Sequence, residues 1–356
     1  NGDDTPRIDY TDGGCPVLLT EPQSTNLIPN SNDFSVTDWQ KTNATISENS
    51  TISPDGSQNA DKVVESAALS YTRVRAAFNF TSGDDYTFSL FAKADERDFI
   101  SLEFNTSAFP GSANAWFDLT SKTISEGGGV NSSKIEDYGN GWFRCSITAT
   151  ADATVSALCS IYISDEVGAT YQGDGVSGLY IYGGQIEALG HPTSLIPTYG
   201  TVRTRLADTV KNLVATSYIG QAQGTIFLDY NSTTPDGELL SVNRSTQNSI
   251  HIFTTSSGVL RVSMYSDGAV NTYTLTSDLD SRGKIAISYE NNSQKIYFNG
   301  ALVKTYTESW TPNVAMTSIS MNQGNYVSQT CKTNVSALQL FNTALSDFEL
   351  TQLTTI

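Results

Sequence analysis

The chain has 356 residues, enough for two domains that each bury a core of their own. A formal charge of −17 repels a polyanion and argues against nucleic-acid binding. No apolar run approaches the roughly 20 residues of a membrane span.

Only 16% of residues are charged, Gly, Ser, Thr and Asn are abundant, and 17 Tyr and 15 Phe far outnumber Trp and Met. That mixture favours short strands joined by turns over helices. Residues 1–25 read as an extended, proline-punctuated leader whose Pro and Gly content argues against a central strand. The apolar pairs Val17–Leu19 and Leu27–Ile28 would dock it, tying the first domain to a neighbouring subunit or another protein. No signal-peptide pattern is present, and the missing initial Met fits a mature or excised form.

From residue 26 to about 200, alternating strands recur. In "YTRVRAAFNF", Val74, Ala76, Phe78 and Phe80 take one face, while Tyr71, Arg73, Arg75 and Asn79 take the other. In "FISLEFNTS", Ile100, Leu102 and Phe104 oppose Ser101, Glu103 and Asn105; in "WFRCSITAT", Phe143, Cys145, Ile147 and Ala149 oppose Trp142, Arg144, Ser146 and Thr148. Cys145 and Cys159 flank "TADAT", read as a hairpin turn. That register allows either a disulfide or two buried thiols. Residues 201–223 read as a linker. From 224 to 356 a second strand-rich unit follows, with an Asn299-Gly300 hairpin turn and a Ser346/Glu349 capping box before a short helix. The pattern predicts an all-β chain of two tandem antiparallel β-sandwich (jelly-roll) domains with a short C-terminal helix.

Catalytic motifs are missing. No strand carries E-x-D-x-E, "DERDF" has the acids at the wrong spacing, and G-x-S-x-G does not occur. His191 stands beside a proline in the connector, and His251 on a strand without an obvious partner. No Cys/His cluster indicates zinc. The solvent face of the first domain offers Tyr71, Arg73, Arg75, Glu103, Asn105, Arg144 and Tyr162, with Trp116 at a strand edge. Rings pack on pyranose faces, planar polar groups bond hydroxyls, and paired arginines read a carboxylate or sulfate. The alternative is the wet face of a sheet with Arg and Glu paired across strands.

Four separated blocks, "PRIDY", "CPVLLTEPQSTNLIPNS…F…W", "GNGWFRCSITAT" and "GDGVSGLYIYGGQIEALGHPTSLIPT…VRTRLAD", resemble the carbohydrate-binding-module-like domains of phage tail and head fibre proteins and of some polysaccharide-degrading enzymes. "GTIFLDY", "KIAISYENNSQKIYFNGALV" and "LQLFNTALSDFELTQL" resemble a laminin-G/concanavalin-like domain. The resemblance implies a non-catalytic virion fibre or decoration protein that binds glycans, associates as a homo-oligomer (a trimer is common) and contacts other virion proteins. It leaves two rivals, a secreted module pair targeting a polysaccharide-degrading enzyme and a glycan-cleaving enzyme. It also implies structural calcium, with Asn30, Asp33 and Glu187 as ligands by analogy. No D-x-[DN]-x-[DN]-G loop supports a calcium site, and Asp236-Gly237, Asp267-Gly268 and Asp278/Asp280 read as acidic turns.

Overall fold

A computed structural model describes residues 7–9, 16–111, 113–168, 170–243, 248–266, 269–310, 314–322 and 331–356. Cys15 and the Asp267-Gly268 turn lie outside them. Among the described residues the fold is all-β apart from one short helix, in two jelly-roll sandwiches.

The first sandwich, residues 24–205, packs two six-stranded antiparallel sheets. One runs Thr123–Glu126, Asn114–Asp118, Phe99–Phe104, Val155–Ser164, Thr72–Phe80, Gln40–Thr42. The other runs Ser132–Asp137, Trp142–Thr150, Asp85–Lys93, Gly178–Glu187, Gln58–Glu65, Ala44–Ile52. Between them lie the side chains that alternation assigns inward, Val74, Phe78, Phe80, Ile100, Leu102, Phe104, Cys145 and Ile147 among them, with Trp39 against Phe34 and Phe78. Burying such side chains contributes roughly 1.5–3 kcal/mol each and gives the sheets their reason to stack.

Cys145 and Cys159 are both buried free thiols, and their strands belong to opposite sheets. "TADAT" is therefore a crossing between sheets rather than a hairpin turn. Cys145 pairs in register with Leu90 and Ile135, and Cys159 with Ala76 and Phe104.

The second compact unit is discontinuous: residues 1–23 join 206–356. Val17–Thr20 is hydrogen-bonded between Ile8–Asp9 and Thr333–Phe341 in a seven-stranded sheet, with Leu18 opposite Val335. The leader thus supplies an inner strand of the C-terminal sandwich, where the sequence reading has it dock as a lead-in that ties the first domain to a neighbour. Its prolines, Pro16 and Pro22, lie just outside the strand, so no ladder donor is lost. Arg7 fixes the join with ion pairs to Glu21 at 2.7 Å and Asp208 at 2.6 Å, and Asn322 Nδ2 donates to both the Glu21 and Asp208 carbonyls. The first sandwich is therefore an insertion whose two ends, Ser24–Asn26 and Arg203–Arg205, pair antiparallel. The stretch read as a linker contains that return strand and Val210–Val214, an edge strand of the six-stranded sheet of the C-terminal unit. Asn299 and Gly300 have φ 47° and 82°, the left-handed pair a tight hairpin needs. Ser346 and Glu349 close the capping box of Asp347–Thr354, which buries Leu350 against Phe227, Ala286 and Tyr297.

Candidate functional site

Register decides which predicted residues meet. On the outer face of the first sheet of the inserted sandwich, Thr42, Arg73, Tyr162, Ser101, Trp116 and Ser125 stand in one row across the strands. Gln40, Arg75, Ser160, Glu103 and Asn114 form the next row.

Arg73 is the centre of this face. Its guanidinium carbon lies 4.5 Å from the Tyr71 ring centroid and 5.6 Å from that of Tyr162, and its Nη1 donates to Tyr162 Oη at 2.8 Å. Tyr162 donates in turn to Glu103 at 3.3 Å. Burial pushes the Tyr162 phenol above its ordinary pKa, and the Glu103 charge adds to that. Trp116 is half-buried, 6.3 Å from Tyr162 in a tilted arrangement. Arg75 is half-buried beside them. Among the described residues neither Arg73 nor Arg75 has a carboxylate oxygen within 4.0 Å, and the Nε of each is buried without a hydrogen-bond partner. Cross-strand Arg–Glu pairing, the ordinary fate of such a face, is therefore not what holds these two cations.

Two predicted members stand apart. Asn105 follows the strand end, where its Oδ1 accepts from the Ser107 amide. Arg144 belongs to the opposite sheet and is only 2% exposed, which corrects its placement on the solvent face. Its Nη2 donates to Ser89 Oγ at 3.0 Å and to the Thr193 carbonyl at 2.6 Å, and it lies over Phe91. The connector around Thr193 and Leu195 covers this outer face, whose cluster holds Ala60, Phe91, Trp142 and Tyr182. Trp142 Nε1 is spent on the Ile52 carbonyl.

The metal analogy does not fit. Glu187 is fully buried and its oxygens already accept from Ser24, Gln185 and Thr193, with a further very short contact from the Thr193 hydroxyl. Among the described residues no group of three His, Cys, Asp or Glu side chains is placed to hold a metal ion. Asn30 and Asp33 instead line a recess of about 510 Å³ with Asn49, Asn59, Asp61 and Tyr199, which sequence reasoning did not select. One signal was available. Asp61 occupies the same side of its strand as the core residue Val63, where alternation calls for an apolar side chain. Burial raises the Asp61 pKa, and the charges of Asp33 and Glu48 add to it, against hydrogen bonds from the Phe34 and Asn49 amides.

In the second sandwich His251 does have partners. Its Nδ1 lies 2.8 Å from Glu238 Oε1 and its Nε2 lies 2.9 Å from Ser249 Oγ. The order Ser–His–Glu is that of a nucleophile array, yet each of the three is 1% exposed or less. The arrangement reads as a buried polar network within the sheet, closed to solvent.

No protein-family model matches the chain, and no curated protein matches it. Among solved structures it is similar to the CBM40 of the Ruminococcus gnavus IT-sialidase bound to alpha2,3 sialyllactose (19% identity, 38% of this chain and 84% of that one, TM-score 0.33). It is also similar to domain 4 of AbnA, a GH43 extracellular arabinanase from Geobacillus stearothermophilus, in complex with arabinotriose (15% identity, 44% and 73%, TM-score 0.33). A third likeness is to a SAP-like pentraxin from Limulus polyphemus (14% identity, 40% and 72%, TM-score 0.31). At these identities and TM-scores the likenesses carry no argument about function.

Proposed function

We propose that this is a non-catalytic glycan-binding protein whose inserted sandwich recognises an acidic sugar on the Arg73 face. One observation carries the reading: two half-buried guanidinium groups without carboxylate partners, set among Tyr71, Tyr162 and Trp116. In a chain of formal charge −17, cations left unpaired beside flat rings are a costly arrangement unless an anion completes them. The guanidinium fork suits a sugar carboxylate or sulfate, and the rings suit the apolar face of a pyranose. The reading rests on this face and on none of the solved structures.

Its setting is the surface of a bacteriophage virion, as a fibre or decoration protein assembled as a homo-oligomer beside other virion proteins. A secreted module pair that targets a polysaccharide-degrading enzyme is the alternative. The buried Ser249–His251–Glu238 network gives the glycan-cleaving alternative no reachable nucleophile.

Isothermal titration with uronate-containing and sulfated oligosaccharides tests the site. Arg73→Ala and Arg75→Ala are expected to weaken binding about tenfold or more, the loss of a charge-assisted contact; unchanged affinity eliminates this face. Light scattering addresses the setting, since a stable trimer supports the fibre and a monomer supports the secreted module.

A further inference from the structure

We propose that the recess between Asn30 and Tyr199 is a second and chemically opposite site, one that takes a neutral saccharide unit. It does not depend on the arginine face. Its volume of about 510 Å³ falls within the roughly 300–1,000 Å³ of small-ligand pockets.

The lining has what hydroxyl recognition needs. Amide side chains offer a donor and an acceptor in one plane, and Asn49 and Asn59 contribute, while Asn30 is engaged with Gly200 and Asp38. Asn59 Nδ2 is held by Asp55 at 3.0 Å, whereas Asn59 Oδ1 is buried with no hydrogen-bond partner among the described residues. A buried acceptor left open in this way costs free energy until a donor arrives. Tyr199 supplies the flat surface: the residue is 66% exposed at the rim, and the Arg203 guanidinium packs over its ring, 5.1 Å from the centroid.

The recess is also preorganised. Asn30 and Tyr199 form an isolated antiparallel bridge, the Gly200 amide donates to Asn30 Oδ1 at 2.9 Å, and the Ser31 amide donates to Thr198 Oγ1 at 2.9 Å. Asn30 and Asn59 are thus held before any ligand enters, which lowers the ordering cost of binding.

Charge selects the class of ligand. Three carboxylates, Asp33, Glu48 and Asp61, line the recess against two cations beside it, Lys41 near Asp33 and Asp61 and Arg203 on the Tyr199 ring, so the balance is acidic. A sugar carboxylate or sulfate is repelled here, the reverse of the Arg73 face. A cation is not the better occupant. Asp61 spends one oxygen on the Phe34 amide and the other on the Asn49 amide, and Asp33 Oδ1 accepts from both the amide and the hydroxyl of Ser35.

Saturation-transfer NMR and calorimetry on the full chain, with lactose, cellobiose, maltose and chitobiose as probes and glucuronic acid as the acidic control, test the assignment. At least one neutral disaccharide is expected to bind, with affinity falling about tenfold in Tyr199→Ala and in Asn59→Ala. That binding should persist in EDTA and in Arg73→Ala, which separates this site from the arginine face. Tyr199 is exposed, so Tyr199→Ala should melt like the wild type. The proposal is overturned if no neutral disaccharide gives a signal that Tyr199→Ala removes, if EDTA abolishes that signal, or if glucuronic acid binds the recess equally well.

Discussion

The two outer faces of the inserted sandwich began as equals in the sequence and ended as opposites. Both present Arg and aromatic residues on the side of the strand away from the core. On the Thr72–Phe80 side, Arg73 and Arg75 remain half-buried and without carboxylate partners. On the Trp142–Thr150 side, the connector covers the sheet, and Arg144 is locked to Ser89 and Thr193 beneath it. Alternation tells a side chain which way it faces relative to the core. It does not say whether solvent or another piece of chain lies on the far side.

The contrast is open to attack by mutation. The largest effect belongs to Arg144→Ala, which opens a hole under the connector, strips Ser89 Oγ of its donor and leaves the Thr193 carbonyl with Gln185 Nε2 alone; about 2–3 kcal/mol of stability should go. Denaturant titration checks it, and a loss below about 0.5 kcal/mol would mean the covered face is not structural. Next comes Trp142→Phe, which keeps the ring but orphans the Ile52 carbonyl, worth about 1 kcal/mol in the same assay. Arg73→Ala should cost less, about 0.5–1 kcal/mol by melting, because it removes one hydrogen bond to Tyr162 and the contacts to two rings but no ion pair.

The smallest effect is a pH trend at Asp61. Its folded pKa is raised, so the stability linked to this group is present below the unfolded carboxylate pKa and is lost as pH rises through the folded value. Ionised Asp61 therefore costs stability at neutral pH. Asp61→Asn sets its Nδ2 against one of the two backbone amides that Asp61 accepts from, so the pH trend and not the absolute difference is the readout: wild type should gain stability relative to the variant as pH falls from 7 toward 4. A relative loss on acidification would reverse the sign.

Much of the fold was legible. Val74, Phe78 and Phe80, or Ile100, Leu102 and Phe104, alternate with polar neighbours because one face of each strand must be dry, and all of them lie in the core. The capping box at Ser346 is equally local, since its hydrogen bonds span three residues. The misread features are those that depend on distant chain. Cys145 and Cys159 look like hairpin partners until the strands are assigned to different sheets. His251 looks alone because Glu238 reaches it only through the pairing of Glu238–Val242 with Asn248–Thr254. Of the candidate site, Tyr71, Arg73, Arg75, Glu103, Trp116 and Tyr162 come together because they alternate on adjoining strands of one sheet. The recess has no such periodic signature, being assembled from turns and strand ends.

The insertion has a consequence for the order in which the molecule can be made. Val17–Thr20 leaves the ribosome long before the strand it pairs with: Thr20 and Thr333 are 313 positions apart. Closing so long a loop in one step is slow, because the entropy is lost before any contact repays it. The paired ends at Ser24–Asn26 and Arg203–Arg205 shorten the search. Once the inserted sandwich folds, it holds Gln23 and Leu206 as neighbours, and the early strand waits beside the start of the late ones. Destabilising the inserted sandwich should therefore slow maturation of the C-terminal one even where none of its own residues is changed.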